Sequence, residues 1–151
     1  MECLNYSKAG STEDIKNEID RMVREEKLSL KQAECIKLKD IDTFAGSSIG
    51  ERIKRAYAYG GGKREQPFVF EYDRQLVQGV IDLYFIEDGQ LVIVDYKTDR
   101  VLRGRAGEDE LRRRYSIQLD YYAMALSQIT GLKVKEKVIY SFALGRSLTV
   151  E

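Results

Sequence analysis

The sequence reads Gly79-Val80-Ile81-Asp82 and then Leu91-Val92-Ile93-Val94-Asp95-Tyr96-Lys97-Thr98, with an Asp88-Gly89 dipeptide midway between the two aspartates. An Asp-Gly pair between β-rich runs is typical of a two-residue hairpin turn. Such a turn pairs Glu87 with Gln90, and each step away from the turn then pairs the next residue on either side. The stretch therefore predicts a hairpin whose two aspartates face each other.

The predicted register places Asp82 directly opposite Asp95. Cross-strand partners on one face have Cβ atoms roughly 4.5 to 5.5 Å apart, and like charges placed so are destabilising. A cation between the carboxylates would remove this repulsion, and Mg²⁺ takes one or two carboxylates together with waters and phosphate oxygens. Lys97 points to the same face as Asp95 because side chains alternate along a strand. The backbone carbonyl of Tyr96 can reach the same ion.

A less specific interpretation is that Asp82 is exposed and that Asp95 and Lys97 form a surface ion pair at a strand end. Isolated Asp-x-Lys triplets are frequent by chance, but apposition to a second aspartate after an apolar strand favours a metal site. Glu65 is a possible third carboxylate if its strand lies beside the hairpin, although an exposed charge is the more frequent situation for such a residue. Gly79 predicts either a β-bulge or a close approach of a ligand.

Composition narrows the class of protein. The 151 residues, 43% hydrophobic and 33% charged, fit one globular domain. The formal net charge of zero gives no overall attraction to nucleic acid. No apolar run reaches the roughly 18 residues of a membrane span and no signal pattern begins the chain, so we expect a cytoplasmic protein with no membrane partner.

The scarce residue types also restrict the chemistry. The chain has no histidine, so acid–base and metal chemistry would rest on carboxylates, lysine or tyrosine. Its two cysteines, Cys3 and Cys35, are too few for a four-cysteine metal site. We expect both to be reduced and Cys35 to belong to the core.

Apolar periodicity and capping signals predict a helical part over residues 1–59 and an α/β core over residues 60–151 of a single domain. The predicted helices are 11–27, 29–36, 48–57 and 108–130. The predicted strands are 67–72, 76–86, 91–96 and 134–142, followed by a short edge piece ending at Val150. The predicted order is helices, then three strands, a helix and a strand. This order indicates an α/β sandwich around a central mixed β-sheet.

Two further features lie after the hairpin. Gln118 and Tyr122 are four residues apart and share one helix face; Tyr122 alone would be read as core, but a polar Gln118 beside it is unusual. A group of basic residues also follows Asp95, and either a solvated surface or a phosphate-binding surface is compatible with it. Its members are Lys97, Arg100, Arg103, Arg105, Arg112, Arg113 and Arg114.

The order of these motifs resembles the RecB-type nuclease branch of the PD-(D/E)xK, or restriction-endonuclease-like, superfamily. The matching motifs are Gly79-x-Ile81-Asp82, then Asp95-Tyr96-Lys97-Thr98, then Gln118-x-x-x-Tyr122. Segments 64–68, 77–85 and 140–142 are similar to the nuclease domains of bacterial helicase–nuclease subunits that process double-strand breaks. The resemblance covers nearly the whole chain from about Thr12 onward.

The resemblance implies a restriction-endonuclease-like core and the hydrolysis of DNA phosphodiester bonds with Mg²⁺, which Mn²⁺ can replace. The implied site residues are the metal-binding Asp82 and Asp95, Glu65 as a further candidate ligand, Lys97 acting on the attacking water, and Gln118 and Tyr122 supporting the site or touching DNA. The implied substrate is single-stranded DNA delivered by a helicase portion of the same polypeptide, with a partner nuclease subunit in the full complex.

Two departures from the family pattern leave alternatives open. RecB-type domains usually carry a histidine metal ligand on a preceding helix, and this chain has none. No Walker sequence ending in Gly-Lys-Ser/Thr is present, so we expect a fragment of a larger protein with weak or no activity alone. The rivals are a catalytically silent DNA-binding or docking module and an unrelated α/β domain with accidental motifs.

Overall fold

The computed structural model describes residues 12–151. They divide into two units, one ending at Tyr59 and one spanning Gly60–Glu151. Cys3 and the predicted helix start at Ser11 lie outside the described residues.

The first unit is helical, as the sequence predicts. Its elements are α1 (Thr12–Arg24), α2 (Leu30–Glu34), α3 (Leu38–Ala45) and α4 (Ser48–Ala58). Their apolar faces bury Ile15, Ile19, Met22, Phe44, Ile49 and Ile53. Helix α3 was not predicted, because its N-cap residue, Lys37, makes no side-chain capping bond and carries no capping signal.

The capping signals of this unit have mixed outcomes. The predicted box at Ser29 is confirmed, since its hydroxyl accepts the Gln32 N–H at 3.2 Å and Gln32 Oε1 accepts the Ser29 N–H at 2.9 Å. Helix α4 begins at Ser48 as predicted, but the capping residue is Ser47 and not Ser48, since the Ser47 hydroxyl accepts the Gly50 N–H. Cys35 is exposed rather than core, since it follows a short helix that buries none of its residues.

The second unit is a five-stranded mixed sheet with one long helix, which confirms the predicted α/β class. The elements are β1 (Gly62–Tyr72), β2 (Gln75–Glu87), β3 (Gln90–Lys97), α5 (Arg105–Thr130), β4 (Val134–Ser141) and β5 (Arg146–Val150). The strand order is β1-β2-β3-β4-β5. Only β3 and β4 pair in parallel among these strands, and α5 is the crossover between them.

The central hairpin has the predicted register. Pairing runs from Glu87↔Gln90 to Leu83↔Val94, and both turn residues, Asp88 and Gly89, have positive φ. A second hairpin, closed by Asp73 and Arg74 with φ of 49° and 62°, was not predicted because Arg74, unlike Gly89 in the central turn, is not a residue that favours positive φ.

Strand β1 begins five residues earlier than predicted. Gly62 already pairs with Phe85, so the predicted loop at residues 60–62 is shorter. Pro67 is therefore inside the strand rather than at its first position, and pairs with Val80. Proline is tolerated there because β1 is an edge strand of the sheet.

The β1–β2 ladder is interrupted once, at Glu65 and Asp82. These two residues lie level with each other outside the regular pairing, although their neighbours on both sides pair in one constant register. Glu65 has a φ of 47°. Ile81 and Tyr84 belong to one buried cluster, whereas strict alternation would put them on opposite faces. The strand therefore twists locally at Asp82, and the bulge suggested at Gly79 is absent, since Gly79 pairs regularly with Phe68.

Helix α5 packs along one face of the sheet. Leu111, Leu119 and Leu126 on the helix are fully buried in a cluster with strand residues such as Ile93 and Ile139. The helix begins at Arg105, three residues before the predicted start, and ends at Gly131, whose left-handed φ of 71° confirms the predicted C-cap. Within residues 12–151, no helix is both long enough and apolar enough to cross a membrane.

Candidate active site

The two aspartates of the hairpin lie directly beyond Leu83↔Val94, the last regular pair of β2 with β3. Asp82 Oδ2 accepts the backbone N–H of Tyr96 at 2.8 Å, which ties this carboxylate to the strand position directly after Asp95. Asp82 is partly buried, whereas Asp95 is almost completely buried. The backbone amide of Tyr96 thus positions Asp82 as a candidate ligand. That the backbone carbonyl of Tyr96 also binds the metal ion remains a prediction.

Asp95 is a buried carboxylate with an incomplete set of partners. Lys97 Nζ lies 2.7 Å from its Oδ2 as an ion pair, yet this oxygen has no partner in hydrogen-bond geometry among the described residues. Burial raises the pKa of Asp95 to about 6, although Lys97 acts in the opposite direction. Asp95 Oδ2 is already in contact with one cation, so a divalent ion at Asp95 would share the carboxylate with Lys97.

Lys97 is held between the strand and the helix. Its ammonium donates to Gln118 Oε1 at 3.0 Å and lies 4.0 Å above the centre of the Tyr115 ring, a cation–π contact. Only 14% of its side chain is exposed. The ammonium is therefore fixed beside the carboxylates rather than free in solvent.

Gln118 and Tyr122 extend this arrangement along α5. Gln118 Nε2 donates to the hydroxyl of Tyr122 at 2.7 Å. Burial, and then the charges of Asp95, Asp82 and Glu65, raise the pKa of Tyr122 to about 12. The hydroxyl thus keeps its proton at neutral pH, and three carboxylates are near enough to act on it.

Glu65 is the residue for which the structure adds most to the sequence. The β1–β2 register places it level with Asp82. The β2–β3 pairing ends at Leu83↔Val94, and one further step in the same register places Asp82 level with Asp95. Glu65 is exposed, but its charge still affects Tyr122. The structure therefore brings all three acidic candidates to neighbouring positions on three adjacent strands.

These residues form a partial ligand set for a divalent ion. Within residues 12–151, no three His, Cys, Asp or Glu side chains converge into a ready metal cage. Mg²⁺ often takes one or two carboxylates and completes its shell with water and phosphate oxygens. Asp82 and Asp95 fit that pattern.

The sequence did not predict Tyr115, whose ring contacts the Lys97 ammonium, or the residues that fix Tyr115 in place. The Tyr115 hydroxyl donates to Asp99 Oδ1 at 2.8 Å, and Arg114 pairs with the same oxygen at 2.9 Å. The hydrogen bond from Tyr115 lowers the pKa of Asp99, with Arg114 acting in the same direction. The available signal was the spacing of Tyr115, three residues before Gln118 on the helix.

The basic residues after Asp95 do not behave as one group. Arg112 and Arg114 form ion pairs with nearby acidic residues. Arg100, Arg103 and Arg113 are exposed. A phosphate-binding role is thus open chiefly to the exposed members.

Comparison with known proteins assigns the class. The family model of the PD-(D/E)XK nuclease superfamily matches residues 5–148. The chain belongs to this superfamily, as the motif order predicted, and the interpretation as an unrelated domain with accidental motifs is wrong.

Relatives within the superfamily are more specific. The chain is 39% identical over 163 aligned positions to the AddA subunit of the ATP-dependent helicase/nuclease from Thermoanaerobacter sp. strain X514, covering 98% of this chain and 13% of that protein. It is 34% identical to the same protein from Clostridium novyi strain NT, covering 94% and 12%. The chain thus spans only about an eighth of these relatives.

A solved structure supports the fold. A crystal structure of an exonuclease candidate from Eubacterium rectale has a TM-score of 0.50 and 18% sequence identity, covering 93% of this chain and 56% of that one. The restriction-endonuclease-like fold expected from the resemblance is confirmed.

Burial of Asp95 predicts a pH-dependent gain in stability for Asp95→Asn in EDTA. Because the folded state holds this pKa near 6 rather than at its ordinary 3.8, the wild type loses stability as pH rises from about 4 to 6 and stays penalised above that. The asparagine variant lacks this penalty. We expect it to be more stable by about 1 to 3 kcal/mol at pH 8, with little difference at pH 4.

Urea unfolding at both pH values measures this difference. The matched control is Asp120→Asn, because Asp120 is half-exposed and pairs with Lys137 on the same unit. A variant that is less stable than wild type at pH 8 would contradict the assignment of Asp95 as a buried, unfavourably charged carboxylate.

Proposed function

We propose that this chain is a Mg²⁺-dependent deoxyribonuclease domain that hydrolyses phosphodiester bonds, with Mn²⁺ able to replace Mg²⁺. The observation that supports the proposal best is the buried Asp95 carboxylate, which lies beside a second carboxylate, Asp82, and an ammonium held 2.7 Å from its Oδ2. Membership of a nuclease superfamily agrees with it.

In this proposal each side chain has a separate task. Asp82 and Asp95 hold the divalent ion, with Glu65 as a further ligand, and the bound ion supplies charge stabilisation and an acidified water. Lys97 orients the attacking water or neutralises charge developing on the phosphate. Gln118 keeps the ammonium in place through its 3.0 Å contact.

Tyr122 is the remaining side chain with a proposed role, as a hydrogen-bond donor. Its hydroxyl accepts a hydrogen bond from Gln118, so its own proton is available to a phosphate oxygen or a water. The raised pKa keeps that proton in place at neutral pH.

The substrate and partners follow from the relatives as proposals. Relatives named as an ATP-dependent helicase/nuclease suggest that a helicase portion of the same polypeptide delivers the DNA. The motif order suggests single-stranded DNA as the substrate and double-strand-break repair and recombination as the process. A cytoplasmic location and a partner nuclease subunit stay predictions.

Cleavage of an end-labelled single-stranded oligonucleotide tests the proposal. We expect cleavage with Mg²⁺ or Mn²⁺, none in EDTA, and loss of activity in Asp95→Ala because the buried ligand is removed. Asp120→Ala is the control, since this half-exposed aspartate of α5 pairs with Lys137 and is not among the proposed site residues. Cleavage that survives EDTA or the Asp95 change would contradict the proposal.

A second candidate function is a catalytically silent DNA-binding or docking module. The chain has no histidine, and the described residues contain no three-ligand metal cage. This candidate predicts DNA binding without metal, no cleavage with either ion, and no specific heat of Mg²⁺ binding in calorimetry.

A further inference from the structure

A cavity of about 420 Å³ opens beside the candidate active site, between the β1–β2 hairpin and α5. Gln118 and Tyr122 line both the cavity and the site. Its volume lies within the range of about 300 to 1,000 Å³ that is usual for small-molecule pockets. The roles proposed above leave this space without a function.

The strand side of the cavity is aromatic. The Phe68 ring packs edge-on against Tyr122, with ring centroids 5.6 Å apart and planes at 73°. Gly79 lies beneath that ring, and a Cβ added there would be 3.0 Å from two ring atoms. The motif glycine therefore gives the Phe68 ring its place in the cavity wall.

The helix side adds a second aromatic ring and an exposed apolar side chain. Tyr121 is held by an edge contact with Tyr72, at 5.6 Å between ring centroids. Ile117 lines the cavity and is 64% exposed. The charged side chain in the wall, Arg114, is already paired with Asp99 and Glu110.

This lining selects a flat, neutral ligand rather than an anion. The half-buried Tyr121 ring and the exposed Ile117 can pack against the face of a base. Phe68 and Tyr122, only 5% and 6% exposed, form the apolar floor. The one charged residue of the described wall is neutralised by its own partners. The amides of Gln78 and Gln118 supply hydrogen-bonding groups at the wall. Positive charge for a sugar–phosphate backbone is available outside the cavity, on the exposed Arg100, Arg103 and Arg113.

We propose that the cavity holds one unstacked nucleobase of single-stranded DNA, adjacent to the phosphate at the candidate active site. The inference rests on the proposed nuclease function, because the shared Gln118 and Tyr122 place the cavity next to the reacting phosphate. Proteins that bind single strands commonly stack bases on aromatic side chains. A base in a duplex would first have to leave its stack, so the cavity favours single-stranded substrate.

Binding measured by fluorescence anisotropy in EDTA tests the cavity without relying on catalysis. The probes are labelled oligo-dT and an abasic strand of equal length and charge. We expect Ile117→Glu to weaken oligo-dT binding about tenfold, on the scale of one lost base-stacking contact, and abasic-strand binding less than twofold. The control, Ile129→Glu, adds the same charge at a similarly exposed isoleucine of α5 outside the cavity lining and should change neither affinity.

The possible outcomes distinguish failure of the base-binding proposal from failure of the nuclease proposal. Equal loss on both strands, no loss on oligo-dT, or no binding of oligo-dT by the wild type would overturn the base-binding proposal. Metal-dependent cleavage by a protein that fails this test would leave the nuclease function standing. If the protein binds DNA in a base-dependent way but never cleaves it, the base-binding proposal stands and the nuclease proposal is rejected.

Discussion

Lys97→Met lowers the rate of DNA cleavage by about a hundred- to a thousandfold, the scale expected when one preorganised charge leaves a phosphoryl-transfer site. The ammonium is fixed by Asp95, Gln118 and the ring of Tyr115, so solvent cannot replace it with the same geometry. Divalent-ion binding should not weaken, because Lys97 is a competing cation beside the ligands. Single-turnover cleavage and Mn²⁺ titration measure the two effects separately.

The control for this substitution is Lys135→Met. Lys135 pairs with Glu87 and Asp88 at the hairpin turn rather than with a proposed ligand, so the cleavage rate should stay within about twofold of wild type. Loss of Lys97 also leaves Asp95 buried without its cation and lowers stability near neutral pH. Far-UV circular dichroism at the assay temperature verifies that both variants are folded. Full activity in Lys97→Met would contradict the role proposed for this residue.

Gly107→Ala destabilises the protein by about 3 kcal/mol, near the upper end of overpacking effects. Gly107 is buried in the first turn of α5. An added Cβ would lie 1.9 Å from the carbonyl oxygen of Leu102 and 3.2 Å from Cγ2 of Val101. The nearest obstacle is backbone, so either the loop or the helix start must move. Urea unfolding measures the change in the free energy of unfolding.

Gly46→Ala makes the same substitution where space exists. Its Cβ would lie 3.5 Å from the carbonyl oxygen of Asp42, an ordinary contact, and its φ is −83°. We expect a change within about 1 kcal/mol there. If the two variants are equally stable, the close approach of the Leu102 carbonyl to α5 does not require glycine at position 107.

The parts of the fold that short-range chemistry determines could be read from the sequence. The Asp88-Gly89 turn sets the register of β2 and β3, and the left-handed Gly131 ends α5, as predicted. The capping box at Ser29 likewise depends on residues only three apart. Each of these signals lies within a few residues of the feature it determines.

Features that depend on the pairing of β1 with β2, or on the packing of α5 against the sheet, could not be predicted from such local signals. The Asp73-Arg74 turn places Glu65 level with Asp82, but two non-glycine residues with positive φ give no recognisable turn signal. The contact of Lys97 with Tyr115 joins β3 to a helix across a connecting loop, so its existence depends on packing. The sequence therefore suggested the two central aspartates and, if its strand lay beside the hairpin, Glu65. The placement of Glu65 level with Asp82 and the support of Lys97 by Tyr115 came from the structure.

The most direct test of metal binding by Asp82 and Asp95 is a crystal of this chain soaked in Mn²⁺ and measured at the manganese absorption edge. We expect one anomalous peak about 2.0 to 2.5 Å from carboxylate oxygens of both Asp82 and Asp95. A well-ordered site with no peak between these two carboxylates at millimolar Mn²⁺ would contradict it.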